Sequence, residues 1–108
     1  MKKYRVEVTS SALRDLEQIS DFYLRHADQK LLAHLISLIE FAIGQLKTIP
    51  ERGGEASILV RETGRPYQQY LADPFRLFYR VEENGVFIVM VLHQRQSIQK
   101  ALRNRLLK

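Results

Sequence analysis

Residues 75–96, FRLFYRVEENGVFIVMVLHQRQ, decide the fold. Both halves are rich in β-branched and aromatic residues, and Asn84-Gly85 between them is the favoured dipeptide for a two-residue turn joining twisted strands. If those two residues are the whole loop, Glu83 faces Val86 and Arg76 faces His93. Alternation then sends Phe75, Leu77, Tyr79 and Val81 to one face with Ile88, Met90 and Leu92. The opposite face carries Arg76, Phe78 and Arg80 with Val89, Val91 and His93, and Arg95 joins it if the strand continues. A face with Phe78, Val89 and Val91 between arginines is too apolar for a solvated surface and too charged for a core. Either the C-terminal segment and the loops fold over it, or a partner does.

Upstream, Tyr4–Thr9 alternates as a half-buried strand. Ser10 or Ser11 is expected to cap the helix that follows, with Asp15 near its positive end. Leu13, Leu16, Ile19, Phe22 and Tyr23 recur at helical spacing to about Arg25 or His26, and Ala27-Asp28-Gln29 makes a turn. A second helix spans Gln29 to Thr48 on a stripe of Leu32, Leu35, Ile36, Ile39, Ile43 and Leu46 until Pro50 and Gly53-Gly54 stop it. The shared apolar stripe of the two helices needs cover, and the remaining apolar segments are strands. Ser57–Glu62 and Tyr67–Ala72 read as strands around the turn Thr63-Gly64-Arg65-Pro66, and Asp73-Pro74 makes a corner. Downstream of Gln96, Ile98, Ala101, Leu102 and Leu106 predict a short basic helix. The expected class is α+β: an N-terminal strand, an antiparallel two-helix hairpin packed on one face of a mainly antiparallel sheet, and a short basic C-terminal helix.

With 108 residues, the chain forms one domain, 1–108. The absence of cysteine excludes a disulfide framework and a cysteine-based zinc site, and the three histidines lack a ligand spacing, so no metal or cofactor is expected. The N-terminus lacks the apolar core of a signal peptide and no run is read as long enough to cross a bilayer, so a cytoplasmic location without a membrane partner is expected.

The net charge of +5 is unevenly placed: residues 1–50 hold seven basic and six acidic side chains, residues 51–108 ten and six. From Gln94 onward there are five basic residues and no acidic one, a field that favours nucleic acid or an acidic protein. The same charges also suit a solvated helix that packs Ile98, Leu102 and Leu106 on the body. His26 and His34 fall at polar helix positions and receive no role. Tyr67 and Tyr70 either stack on a base or pack at the sheet, and Arg61 and Arg65 either extend the basic surface or form surface ion pairs.

The order of elements, together with ALRDLEQI (12–19), LKTIPERGG (46–54), FRLFYRV (75–81) and an apolar strand closing on His93-x-Arg95, resembles the RelE/ParE superfamily of type II toxins over nearly the whole chain. RelE-like members are ribosome-dependent endoribonucleases acting on mRNA. That resemblance implies Arg76 as the phosphate-binding arginine and His93 or Arg95 near the leaving group, but the tyrosine or histidine such nucleases carry after the last strand has no match here. ParE-like members inhibit DNA gyrase by binding, and their apolar strand closes on His-x-Arg before a further helix, as HQRQSIQKALRNRLLK does. The ParE-like branch is therefore favoured, with no catalytic residue and with Arg76, Arg80, His93, Arg95, Lys100, Arg103 and Arg105 expected on the target-binding surface. Either branch implies a cognate antitoxin held in a hetero-oligomer. Phe78, Val89 and Val91, and the groove where the helical hairpin meets the sheet, are the expected docking surfaces. A non-toxic interaction protein on the same fold is the third possibility.

Overall fold

The computed structural model describes residues 3–106. In chain order they form β1 (Val6–Val8), α1 (Ser10–His26), α2 (Gln29–Thr48), β2 (Gly54–Glu55), α3 (Ser57–Thr63), β3 (Gln68–Ala72), β4 (Phe75–Glu82), β5 (Gly85–His93) and α4 (Ile98–Leu106). One sheet has the order β1-β5-β4-β3-β2, with β1 parallel to β5 and the other pairs antiparallel. The α+β architecture is as the sequence predicts.

The helical hairpin covers one face. Ala12 of α1 and Leu35, Ile39, Ala42 and Leu46 of α2 pack on Phe75, Leu77, Tyr79, Val86, Ile88 and Val91. Burying each large side chain there contributes about 1.5–3 kcal/mol. One expectation about α2 is corrected: by length and composition this helix is apolar enough to cross a membrane. Four of its residues are nevertheless committed to the domain core.

The helix caps differ from expectation in detail. Thr9, not Ser10 or Ser11, caps α1 by accepting from the Ala12 amide. Asp28 caps α2, its carboxylate accepting from Leu31 N at 2.7 Å. Asp15 lies past the first turn of α1 and is drawn to other partners, described below.

Two further corrections concern the sheet. Ser57–Glu62 is helical, not extended: the seven-residue α3 turns Leu59, with Ala56 beside it, onto the sheet, and Gly64 closes the helix in a left-handed conformation (φ 72°). The β4–β5 loop is Glu83-Asn84, because Gly85 already pairs with Glu82. A type I′ turn needs positive φ at both central residues, and among the described residues none but glycine has it. Gly85 instead lies against β1, where a Cβ would come 2.6 Å from the Arg5 carbonyl oxygen that accepts from Val86 N.

Farther from the turn, an irregularity between Phe78 and Tyr79 leaves Val89 over and shifts the register by one residue, so that Phe75 pairs with His93 and Arg76 with Leu92. Arg76 therefore does not face His93. The second face carries Phe78, Met90 and Leu92, which pack with Ala56 and Leu59 and with Ile98, Ala101 and Leu102 of α4. Of the two ways to cover that face, the chain uses its own helices.

Candidate functional site

β1 accompanies β5 only from Val86 to Ile88. Beyond that point, side chains from α1 and α4 hold the strand edge. Asp15 Oδ2 accepts from Val91 N at 2.9 Å and pairs with the Arg105 guanidinium, which also donates to the Val89 carbonyl at 2.8 Å. The side-chain amide oxygen of Gln96 accepts from His93 N at 2.8 Å. A carboxylate and a guanidinium thus supply the acceptor and donor that a neighbouring strand would have offered.

His93 ends β5 on the helical side. Its ring stands edge-on to Phe75, with centroids 5.7 Å apart, and its Nδ1 accepts from Arg95 N at 3.2 Å. Arg76 leaves β4 on the opposite face, where its guanidinium donates to the carbonyls of Gln94 (3.4 Å) and Gln96 (3.1 Å). Among the described residues its Nε is buried without a partner. The pair expected to share a surface instead grips the same turn from two sides, and Arg95 sits at the middle of that turn.

The other predicted residues separate by use. Arg80 is paired with Glu82 and lies 5.1 Å from the Phe87 ring centroid; the bonded carboxylate raises its pKa, and partial burial opposes that shift. Arg105 is likewise engaged, whereas Arg95, Lys100 and Arg103 are exposed. Phe78 (0% exposed) and Val91 (2%) are buried on opposite faces, Val91 in the wall of a hollow that Phe75 and His93 also line, and Val89 is only partly buried. Tyr67 and Tyr70 pack against the two cores.

Two concavities flank the turn that carries Arg95. A hollow of ≈ 540 Å³ lies where α1 meets the ends of β4 and β5, with Ile19, Phe22, Tyr23, Phe75 and His93 in its walls. This is the predicted groove between helical hairpin and sheet. A cleft of ≈ 680 Å³ between α1 and α4 is lined by Arg14, Arg95, Lys100 and Arg105 over Asp15. Sequence reasoning missed Arg14 and Asp15, which look like ordinary polar positions on a helix.

A family model described as the ParE toxin of type II toxin–antitoxin systems matches residues 6–98. The RelBE2 toxin–antitoxin complex of Mycobacterium tuberculosis contains a chain of similar structure, with a TM-score of 0.61 and 28% identity over 89% of this chain and 97% of that one. Among curated proteins none matches.

Proposed function

Because this chain belongs to the ParE toxin family of type II toxin–antitoxin systems, we propose that it inhibits DNA gyrase by binding, with no bond-making chemistry of its own. That it is a type II toxin with an antitoxin partner is the coarser statement, and it stands on the family and the toxin–antitoxin neighbour together. The observation that carries the binding mechanism is the register of β4 and β5. Arg76 faces away from His93 and is tied to two backbone carbonyls, which speaks against these two side chains converging on one phosphate as the RelE-like reading with His93 would require. A binder works differently. It favours one state of its target by differential affinity, shifting the population about tenfold for each 1.4 kcal/mol of preference.

The antitoxin is expected on the apolar flank of the helical hairpin, where Phe22 is 57% exposed and Phe41 64%, and in the hollow beside His93. A segment that orders on binding must bury apolar side chains, and acidic residues in it would meet a chain of net charge +5. The proposed target implies a cytoplasmic site of action.

The alternative is RelE-like cleavage of mRNA on the ribosome, favoured by the name of the RelBE2 neighbour. Expression without antitoxin separates the two. Gyrase inhibition predicts growth arrest with DNA-damage signalling and filamentation, whereas rapid loss of translated messages without that signalling contradicts it.

A further inference from the structure

We propose that the cleft between α1 and α4 binds the phosphate backbone of DNA, an inference that rests on the gyrase reading and names the part of a gyrase–DNA complex this surface would touch. Four cations, Arg14, Arg95, Lys100 and Arg105, line the cleft against one carboxylate, Asp15. That carboxylate is already engaged by Arg105 and the Val91 amide. Arg14, Arg95 and Lys100 are exposed, and among the described residues their side chains enter no ion pair. Like charges gathered without counter-charges repel one another, and an incoming polyanion relieves that repulsion.

The three free cations come from α1, from the turn after β5 and from α4, and the scaffold fixes them. Arg76 holds the carbonyls on either side of Arg95, and His93 Nδ1 accepts the Arg95 amide. Lys100 N donates to Ser97 Oγ at the start of α4. Arg76 and His93 are thus positioning residues for Arg95 rather than contacts themselves. Guanidinium groups favour phosphate through paired hydrogen bonds.

The remaining walls decide the class of ligand. Gln18, Gln96, Ser97 and Asn104 offer neutral donors, while Leu92 and Ala101 are the apolar lining residues. An antitoxin segment needs mainly apolar walls, which the neighbouring hollow supplies, whereas the lining of this cleft is more polar than apolar. A phosphate backbone needs charge and donors, which the cleft has.

The test is fluorescence anisotropy of the full chain with a short labelled DNA duplex over a salt series, repeated with the single strand and with polyglutamate. The variant R14Q/R95Q/K100Q is compared with R25Q/K30Q/R61Q, which removes equal charge elsewhere. The cleft variant should show a salt slope smaller by about three, and the control a slope close to the parent. If the triple variant fails to fold, R95Q alone should lower the slope by about one. Equal losses in both variants, no duplex or single-strand binding by the parent, or a preference for polyglutamate overturns the proposal. Supercoiling assays on the same preparations keep the two readings apart. A parent that binds DNA in the cleft yet leaves gyrase untouched sinks only the gyrase reading, and one that inhibits gyrase with no DNA binding sinks only the cleft.

Discussion

Arg105 near the end of α4 closes onto Asp15 of α1, and between them they cap the edge of β5 at Val89 and Val91. The contact ties α1 to β5 and α4 at the other end of the chain. Asp15→Ala leaves the Val91 amide without an acceptor in a half-buried site and should cost about 1–3 kcal/mol, whereas Arg105→Ala, whose partners water can reach, should cost less. In urea unfolding, a double-mutant cycle should return a coupling of about 0.5 kcal/mol or more. Additive single effects would mean that the pair does not hold the edge.

Tyr79 lies under the sheet edge at Gly53. Its hydroxyl accepts from Gly53 N at 3.0 Å and donates to the Gln68 side chain at 3.1 Å. Burial raises its pKa above 10.0, with a smaller opposing effect from the Gly53 amide. A raised native pKa means that the native state holds its proton where the unfolded chain has lost it. The stability linked to this group is therefore complete below the unfolded value and is lost as pH rises through the native one. Unfolding followed from neutral pH to above pH ~10 should show a decline that Tyr79→Phe reduces. At neutral pH the same substitution should cost about 1 kcal/mol through the lost hydrogen bonds.

The hairpin register makes an asymmetric prediction. Gly85→Ala brings a methyl 2.6 Å from the Arg5 carbonyl and should cost about 1–3 kcal/mol. Asn84→Ala should stay within about 0.5 kcal/mol, because Asn84 has no positive φ to lose. A type I′ turn at Asn84-Gly85 would make Asn84→Ala distinctly harmful.

Those positions also show what could be read from sequence. The helices were legible because their apolar residues recur through long windows, and Gln29–Thr48 matches α2 end to end. Ser57–Glu62 was not: a short apolar run fits strand or helix equally, and the need to cover Phe78 made it helical. Asn84-Gly85 misled because a glycine required for close approach to β1 resembles one required for a turn. The turn alone would have kept every side chain on its expected face; the extra residue Val89 in β5 is what moved His93 to the other face and dissolved the expected Arg76–His93 surface, and nothing in the sequence marks it. The basic cleft was half legible. The charges after Gln94 stand out in the sequence, but only the topology brings Arg14 beside them.

The antitoxin surface is tested at Phe22, whose ring meets Tyr23 and His26 on the exposed flank. Phe22→Asp should leave thermal stability nearly unchanged and weaken antitoxin binding by about 2 kcal/mol or more, read by calorimetry. Unchanged affinity would place the antitoxin elsewhere.

Purified chain mixed with DNA gyrase and plasmid tests the functional proposal most directly. Supercoiling should fall and cleaved plasmid should accumulate, and addition of the antitoxin should reverse both, while messages on translating ribosomes stay intact. Messages cut on the ribosome with gyrase unaffected would contradict it.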